Sequence, residues 1–418
     1  MREMKDSGID WIGTIPQDWQ LSKIGSLYTQ RNEKVSDKDY QPLSVTMQGI
    51  LPQLATAAKT NDGGNRKLVR VGDFAINSRS DRRGSCGISP LDGSVSLINI
   101  ILTPRTAMHP GYYNWLFHTT LFADEFYKWG HGIVADLWTT RWQEMKSITV
   151  PVPEYAEQER IAAFLDAECA EIDAVLEKTR ASIEEYKKLK QAVITQAVTK
   201  GIRGDRPMKD SGIEWIGDIP AEWDVVRIKN LFDYRNERNF KPLEEVNLIS
   251  LYTDKGVVQH CDLDETTGNK ASNADGYKLV YENDIVVNII LCWMGAIGRS
   301  AYCGVTSPAY DVYSPKQGIN SKFYHYLFRT NGFSGDCYKV GRGIMAMRWR
   351  TYSDQFRAIK VVFPSQSEQE EIIKYLDEKC AGIDALITKK QQYLTEIENY
   401  KKSLIYEYVT GKKEVHPL

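Results

Sequence analysis

The sequence lacks several features that would point directly to a class of protein. Its seven cysteines are scattered over 418 residues without a C-x-x-C pair, which argues against a disulfide scaffold and a cysteine zinc site. It has no run of 18 apolar residues and its first ten residues are charged, so we expect no membrane span and no secretory signal. The formal net charge of −2 excludes a polybasic protein but leaves local basic faces open. We expect a reducing, cytoplasmic location.

Motifs of catalysis are also scarce. The sequence contains no P-loop, H-E-x-x-H or G-x-S-x-G, and its six histidines show no metal-ligand spacing. G-x-G-x-x-A occurs at Gly130–Ala135 and Gly341–Ala346, but without the buried strand of a cofactor site, so a glycine-rich surface loop is the better interpretation. Asp336 and Lys339 resemble a nuclease pair, yet no second acid supports a metal, and we predict a solvated loop there. The chain is therefore predicted to have no catalytic site, metal or cofactor of its own.

The sequence does contain an internal duplication. Residues 4–34 and 208–238 are identical at 17 of 31 positions, and residues 157–174 and 368–385 at 11 of 18. Such a long period indicates a duplicated unit rather than a solenoid, and two copies of one fold predict a pseudo-two-fold arrangement. The copies diverge strongly between these matches. Divergent middles on a shared frame favour recognition of two different targets, with plain drift of an old duplication as the alternative.

Each copy shows the same order of local signals. It opens on tryptophans that we interpret as packing anchors. Short β-rich runs such as Lys67–Val69 and Phe74–Asn77 then mix with helical pieces such as Tyr112–Phe122 and Lys322–Phe328. The predicted fold class is α+β, with two globular domains in a pseudo-two-fold arrangement joined by two long antiparallel coiled-coil helices. The predicted boundaries are 1–153 and 207–364 for the domains, and 154–206 and 365–418 for the helical spacers.

The helical spacers carry a heptad pattern. Residues 157–200 contain neither proline nor glycine, which allows a helix of about 44 residues. A repeat near 3.5 residues predicts a coiled coil, in which Cys169 and Cys380 pack as small core residues. Lys190 and Lys401 fall at matching core positions and either set the register or face a partner subunit. The predicted coiled-coil residues are Leu165, Ile172, Leu176, Ile183, Leu376, Ile383, Ile387 and Leu394.

Positive charge is concentrated locally. Residues 66–83 hold six Lys or Arg against two Asp, and residues 322–360 hold eight against two. Arginine suits contact with phosphates and with guanine edges, so these stretches indicate DNA binding. A merely solvated run of charge is the alternative, because attraction to phosphate alone is nonspecific. The candidate DNA-binding residues are Arg66, Lys67, Arg79, Arg82, Arg83, His131, Arg299, Arg342, Arg348 and Arg350.

Two motifs carry a family resemblance. K-D-S-G-I-x-W-I-G-x-I-P-x-x-W stands at Lys5–Trp19 and Lys209–Trp223, and E-Q-x-x-I-x-x-x-L-D at Glu157–Asp166 and Glu368–Asp377. The order of parts matches along essentially the whole chain. The sequence strongly resembles a type I restriction-modification specificity subunit.

The resemblance implies a function without catalysis. Each globular domain is then a target-recognition domain that reads one half of a bipartite, asymmetric DNA site, and the helices set the spacer. Two modification subunits would dock on the helices and methylate adenine with S-adenosylmethionine, and restriction subunits would use ATP and Mg²⁺. The alternatives are a stand-alone nuclease and a coiled-coil scaffold that binds protein without reading DNA.

Overall fold

The computed structural model describes residues 2–54, 63–79, 82–132, 138–260, 273–344 and 349–415. The chain divides into two compact units: unit 1 comprises residues 1–181 and 391–418, and unit 2 comprises residues 182–390. Each unit combines small antiparallel sheets with short helices and parts of two long helices, which confirms the predicted α+β class. The unit boundaries fall inside the long helices, so the four-part division by sequence stays a prediction.

The elements up to the first long helix follow one another closely. They are β1 (Met4–Asp6), β2 (Thr14–Pro16), β3 (Gln20–Lys23), α1 (Ile24–Leu27), β4 (Tyr28–Arg31), β5 (Lys34–Val35), β6 (Leu43–Thr46), β7 (Gly49–Pro52), β8 (Arg66–Val69), β9 (Phe74–Asn77), β10 (Cys86–Ile88), β11 (Gly93–Val95), β12 (Asn99–Pro104), α2 (Pro110–Phe117), α3 (Thr120–Lys128), α4 (Trp142–Met145), β13 (Thr149–Val152) and α5 (Tyr155–Lys200).

The second copy repeats this order, with short 3-10 turns at Leu243–Glu245 and Cys292–Met294. Its elements are β14 (Met208–Asp210), β15 (Asp218–Pro220), β16 (Asp224–Arg227), α6 (Ile228–Leu231), β17 (Phe232–Arg235), β18 (Ile249–Tyr252), β19 (Gly256–Gln259), β20 (Lys278–Val280), β21 (Ile285–Asn288), β22 (Ile297–Arg299), β23 (Gly304–Thr306), β24 (Tyr310–Pro315), α7 (Ser321–Phe328), α8 (Asn331–Val340), α9 (Ser353–Ala358), β25 (Lys360–Phe363) and α10 (Gln366–Val409).

A four-stranded antiparallel sheet lies at the centre of each unit. Its order is β10-β9-β12-β4 in unit 1 and β22-β21-β24-β17 in unit 2, which is the same topology. All four residues of β9 and of β21 are buried, as expected for a strand covered on both faces. The predicted strands at Lys67–Val69 and Phe74–Asn77 both exist as β8 and β9. They belong to different sheets, because β8 pairs with β11 whereas β9 pairs with β10 and β12.

Two predictions of local structure were wrong. The helical piece Tyr112–Phe122 is two helices, because α2 ends at Phe117 and Thr119 caps the start of α3, where its hydroxyl accepts a hydrogen bond from Phe122 N at 3.2 Å. Asp336 lies on α8 rather than in a solvated loop, and its carboxylate accepts a hydrogen bond from Trp215 Nε1 at 2.6 Å. The first error overlooked a local N-cap, and the second arises from a contact between residues 121 positions apart in the sequence.

The repeated motifs meet at the start of each long helix. Trp19 Nε1 donates to the Glu157 carboxylate at 2.9 Å, and Trp223 Nε1 donates to the Glu368 carboxylate at 2.7 Å. Both indoles are at most 1% exposed, which confirms these tryptophans as packing anchors. A buried carboxylate needs such donors, because an unpaired charge is costly away from water.

Arginine and glutamine complete this anchor. Arg2 forms an ion pair with Glu157 in unit 1, and Arg206 with Glu368 in unit 2, each lying over the indole of its unit. The next residue, Gln158 or Gln369, donates Nε2 to a proline carbonyl just before the helix, at 2.8 and 2.9 Å. The E-Q pair is thus retained in both copies because each side chain fixes the helix to its domain.

The heptad residues lie where the sequence places a coiled-coil core. Leu165, Leu176, Ile183, Leu376 and Ile383 are buried, and Ile172, Ile387 and Leu394 are half-buried. Cys169 and Cys380 are buried as well, at 2% and 6% exposure.

Within each unit the two long helices run antiparallel. In unit 1, the ring of Phe164 lies 4.4 Å from that of Tyr408, while Arg180 further along α5 pairs with Glu398 earlier in α10. The end of each helix enters a hydrophobic core, with Val409 of α10 buried in unit 1 and Val198 of α5 buried in unit 2. The core of each unit therefore includes the C-terminal end of a long helix that begins in the other.

The lysines at core positions of the heptad form ion pairs. Lys190 Nζ donates to both oxygens of Asp384 at 2.7 and 2.6 Å within unit 2. Lys401 Nζ does the same to Asp173 at 2.6 and 2.7 Å within unit 1. The two pairs occupy equivalent positions of the duplicated sequence. Each lysine is therefore used between the helices of its own unit.

Candidate nucleic-acid interface

Two loops of unit 1 lie side by side at the end of its central sheet. Loop A of unit 1 (residues 78–84) follows β9, and loop B of unit 1 (residues 131–139) follows α3; residues 80, 81 and 133–137 lie outside the described residues. Thr140 N donates to the Ser78 carbonyl at 3.0 Å and joins the two loops. His131 and Thr139 exchange two backbone hydrogen bonds of 3.0 Å, which close loop B at its base.

Unit 2 contains the same pair of loops 211 residues later. Loop A of unit 2 (residues 289–295) follows β21, and loop B of unit 2 (residues 342–350) follows α8. Thr351 N donates to the Ile289 carbonyl at 2.9 Å, which repeats the link of unit 1. Arg342 and Arg350 exchange backbone hydrogen bonds of 2.8 and 2.9 Å at the base of loop B.

A tryptophan holds loop B against the preceding helix in both units. Trp138 Nε1 donates to a backbone carbonyl at the end of α3 at 2.8 Å, and Trp349 Nε1 to the equivalent carbonyl of α8 at 3.1 Å. A Cβ atom on Gly130 would lie 2.3 Å from Trp138, and one on Gly341 would lie 2.4 Å from Trp349. The first glycine of each G-x-G-x-x-A pattern is thus required by the close approach of an indole.

Loop A has a common backbone as well. Gly84 and Gly295 end it with φ of 75° and 89°, in the left-handed region that favours glycine. Asn77 and Asn288 immediately precede it, and the side-chain carbonyl of each accepts a hydrogen bond of 3.0 Å from the backbone NH two residues on. These local bonds fix the loop without using the side chains between them.

The side chains of the two loop pairs differ in chemistry. Loop A reads S-R-S-D-R-R-G in unit 1 and I-I-L-C-W-M-G in unit 2. Loop B has the opposite distribution, because its base carries His131 and Thr139 in unit 1 but Arg342 and Arg350 in unit 2. The arginines therefore lie on loop A in unit 1 and on loop B in unit 2.

Four sequence candidates come together on the loop pair of unit 1. They are Arg79, Arg82, Arg83 and His131, all of them exposed. Arg83 forms an ion pair with Asp124 of α3, and its guanidinium lies 6.0 Å from the ring of Tyr127. Its side chain is still 53% exposed, so a ligand can compete for it.

Arg66 and Lys67 are not presented by these loops. Arg66 is 4% exposed, and its guanidinium donates to the Ser94 hydroxyl and carbonyl at 2.8 and 2.9 Å. Lys67 is half-buried and donates to the Asn99 carbonyl at 2.7 Å. Burial lowers the pKa of both groups. These two cations link strand β8 to neighbouring backbone and side-chain oxygens. Their charged groups are therefore used inside the unit rather than presented to a ligand.

The candidates of unit 2 are divided. Arg342 is exposed and Arg350 is half-buried on loop B, whereas Arg348 lies outside the described residues. Arg299 ends strand β22 and donates Nε and Nη2 to the Asn283 side chain at 2.9 and 2.6 Å. Arg299 is therefore separate from the loop pair, and its guanidinium is bonded locally.

Sequence reasoning missed loop A of unit 2. Trp293 of this loop lies with its ring 5.6 Å from that of Tyr338, and Met294 is 54% exposed. The candidates were chosen by positive charge, and residues 289–295 contain none. The constant spacing of 211 residues would have found it, because it aligns residues 289–295 with the arginine loop of unit 1.

The residues that the structure describes offer neither a metal-binding cluster nor a membrane-spanning helix. No group of three or more His, Cys, Asp or Glu there is placed to hold a metal ion. No helix within those residues has the length and apolar character needed to cross a bilayer.

Known proteins similar to this chain are type I restriction-modification specificity subunits. Residues 220–396 match the type I restriction modification DNA specificity domain. Over 97% of its length the chain is 24% identical to the MjaVIII type I specificity subunit of Methanocaldococcus jannaschii, covering 95% of that protein. It is also 24% identical to the EcoDI specificity subunit of Escherichia coli, over 64% of this chain and 63% of that one.

Solved structures share the fold. A chain solved in work on complex assembly and conformational transition of the type I restriction-modification system superposes with a TM-score of 0.72 at 12% identity, over 96% of this chain and 99% of that one. The HsdS subunit of Thermoanaerobacter tengcongensis gives a TM-score of 0.51 at 15% identity, over 96% and 98%. Residues 220–396 therefore carry the type I restriction modification DNA specificity domain, and the chain as a whole is similar to type I restriction-modification specificity subunits.

Proposed function

We propose that each unit reads one half of a bipartite, asymmetric DNA site, and that its loop pair makes the sequence-specific contacts. The observation that carries this proposal is the repetition of one loop pair with the same backbone bonds and different exposed side chains. Phosphate contacts position a protein on DNA, whereas contacts to base edges specify the sequence. A shared frame with exchanged side chains therefore suits two different half-sites.

The likeness to type I specificity subunits supports a set of partners. The structure with a TM-score of 0.72 comes from work on assembly of a type I restriction-modification complex. We propose that this chain likewise binds double-stranded DNA and two modification subunits, and that restriction subunits join the complex. S-adenosylmethionine, ATP and Mg²⁺ would then be bound by those partners.

The long helices are proposed to set the number of base pairs between the half-sites. An insertion near residues 195–200 is unsuited to test this, because Ala197, Val198 and Thr199 are buried. Four residues inserted after Glu184 and after Gln391, where both helices are exposed, add about 6 Å to each helix. An active variant should then recognise unchanged half-sites with a spacer one or two base pairs longer, since base pairs stack about 3.4 Å apart. An unaltered spacer would show that the helices do not set it.

A loop exchange tests the readout itself. In one variant, residues 78–84 of this chain are replaced by the sequence of residues 289–295, and in a second the exchange is made in the opposite direction. Each variant is assembled with its modification subunits, and methylated adenines are mapped across a genome. We expect the half-site read by the altered unit to change while the other half-site stays the same.

The control keeps the frame and changes surface charge elsewhere. Arg203→Ala and Glu371→Ala remove an exposed ion pair outside the loops and should leave both half-sites intact. A loop exchange that alters both half-sites, or neither, in an assembled and active complex would refute independent reading by the two loop pairs.

A further inference from the structure

Three aromatic rings form a row across the loop pair of unit 2. The ring of Trp293 on loop A lies 5.6 Å from that of Tyr338 on α8, which in turn stacks on Trp349 of loop B at 5.0 Å. Tyr338 is 49% exposed, whereas its equivalent in unit 1, Tyr127, is 7% exposed. The row stiffens this surface and makes it apolar at the place where unit 1 carries arginine.

Two aliphatic side chains project from the same loops. Met294 on loop A is 54% exposed, and Ile344 on loop B is 95% exposed. Large apolar side chains that cluster at a surface mark an interaction site more often than chance. Met294 takes the position of Arg83 in unit 1, so the exposed apolar group stands where the other unit presents a cation.

The charge around this apolar surface selects its ligand. Arg342 is exposed at the base of loop B, beside Arg350, and both suit contact with phosphate. The ligand must therefore combine negative charge with an apolar group that a loop can reach. Duplex DNA offers one such group in its major groove, which is the C5-methyl group of thymine.

We infer that Met294 and Ile344 read thymine methyl groups in the half-site of unit 2. This inference rests on the proposed function and adds the chemical group that is recognised. Unit 1, with arginines on the equivalent loop, should instead contact the guanine N7 and O6 acceptors. Burial of one methyl group against an apolar side chain should change DNA affinity about four-fold.

Uracil substitution tests this at the level of one group. The assembled methyltransferase complex is titrated with duplexes carrying its own site, in which each thymine in turn is replaced by uracil, which pairs identically but lacks the methyl group. We expect about a four-fold loss of affinity at one or more positions of the unit 2 half-site. Met294→Ala or Ile344→Ala should abolish that sensitivity. Phe240→Ala, at an 83% exposed position of the same unit outside the loops, is the matched control and should retain it.

The outcomes separate this inference from the proposed function. Specific binding that is unchanged by uracil throughout the unit 2 half-site overturns the inference and leaves half-site reading by the loops intact. A half-site without any A·T pair overturns it as well. If Met294→Ala weakens assembly with the modification subunits and leaves uracil sensitivity in place, the apolar surface is a protein contact and the inference fails.

Discussion

The two loop pairs share the bonds that anchor their ends and differ in the side chains that they expose among the described residues. The anchoring asparagine, the left-handed glycine and the clamping tryptophan recur at equivalent positions. The residues between them are arginine-rich on loop A of unit 1 and apolar on loop A of unit 2. The comparison shows that one set of residues forms the bonds that shape the loops and another set supplies the exposed side chains that could contact a ligand. Such a separation allows specificity to change without loss of fold.

The frame beneath the loops also differs between the units in its degree of burial. Each glutamate accepts hydrogen bonds from the equivalent tryptophan and arginine of its unit. The side chain of Glu368 is 2% exposed, whereas that of Glu157 is 13% exposed. The carboxylate of unit 2 is therefore the less accessible to water. Electrostatic interactions strengthen as water is excluded, and so does the penalty for breaking them.

The largest expected effect comes from removing the buried carboxylate. Glu368→Ala removes the acceptor of Trp223 Nε1 and the buried partner of Arg206, which keeps Glu222 and the Lys200 carbonyl as acceptors. Breaking a buried pair costs about 3–5 kcal/mol, and we expect the lower end of that range here. Glu157→Ala should cost less, because water reaches that anchor. The measurement is urea unfolding of the chain followed by tryptophan fluorescence.

Glu371→Ala on the same helix is the control, since its pair with Arg203 is exposed on both sides and should contribute at most about 1 kcal/mol. Equal costs for Glu368→Ala and Glu371→Ala would contradict the role of the anchor.

A second comparison concerns arginines of the two loop pairs. Arg82→Ala in loop A of unit 1 and Arg342→Ala in loop B of unit 2 should each weaken DNA binding by the assembled complex. An arginine that reads a base should cost about 1–3 kcal/mol and relax preference at one position of its own half-site. An arginine that contacts phosphate should weaken all sequences alike and lower the salt dependence. Titrations at several salt concentrations distinguish the two. Unchanged affinity and unchanged salt dependence would show that this arginine does not contact DNA.

A third comparison uses a bond that both units make with different side chains. His325 Nδ1 accepts a hydrogen bond from Arg299 N at 3.1 Å, and at the equivalent place Asn114 Oδ1 accepts one from Ile88 N at 3.1 Å. Burial of the imidazole, followed by repulsion from Arg329, lowers the pKa of His325 to about 3. The folded unit 2 therefore holds a neutral histidine at neutral pH.

This difference predicts that protonation of the histidine lowers the stability of unit 2 in acid, whereas the asparagine of unit 1 has no such effect. An unfolded histidine titrates near pH ~6.5, so below that pH the unfolded chain gains a proton that the folded chain does not. The stabilisation is present above pH ~6.5 and decreases as pH falls, by about 1.4 kcal/mol at pH ~5.5. His325→Asn should remove this loss, and Asn114→His should introduce one in unit 1. Urea unfolding at pH ~7.5 and ~5.5 measures it. The idea fails if wild type and His325→Asn lose equal stability on acidification.

Sequence predicted the frame of the molecule better than its surface. The tryptophans that open each copy were predicted to be packing anchors, and Trp19 and Trp223 are buried. This prediction succeeded because large apolar side chains and their repetition can be seen directly in the sequence. The heptad placed Leu165 and Leu376 at core positions that are buried. These features depend on spacing along one element, which a sequence displays directly.

The surface depended on contacts between distant segments. Arg66 looked like part of a basic patch, yet it is buried against Ser94, 28 residues away. Charge counting cannot distinguish a cation bonded inside a sheet from one that faces solvent. Loop B gained its shape from Trp138 and Gly130, which a search for cofactor motifs read only as a glycine pattern. The assignment of individual DNA contacts therefore stays a prediction, while the pairing of the loops is a finding of the structure.

The smallest expected effect concerns the lysines of the coiled coil. Lys190–Asp384 and Lys401–Asp173 occupy equivalent positions, with the lysine side chains 28% and 21% exposed and both aspartates more than half exposed. Such exposed pairs contribute about 0.2–1 kcal/mol, and salt screens them. A double-mutant cycle of Lys190→Met with Asp384→Asn, repeated for Lys401→Met with Asp173→Asn, should give equal and small coupling energies that decrease at high salt.

A polar residue at a core position favours one register over others, so the methionine variants should unfold at similar or higher urea concentration while pairing less specifically. Cysteine cross-linking between the facing helices measures that specificity. A coupling energy above about 2 kcal/mol in either unit would show that these pairs stabilise the helices rather than select their register.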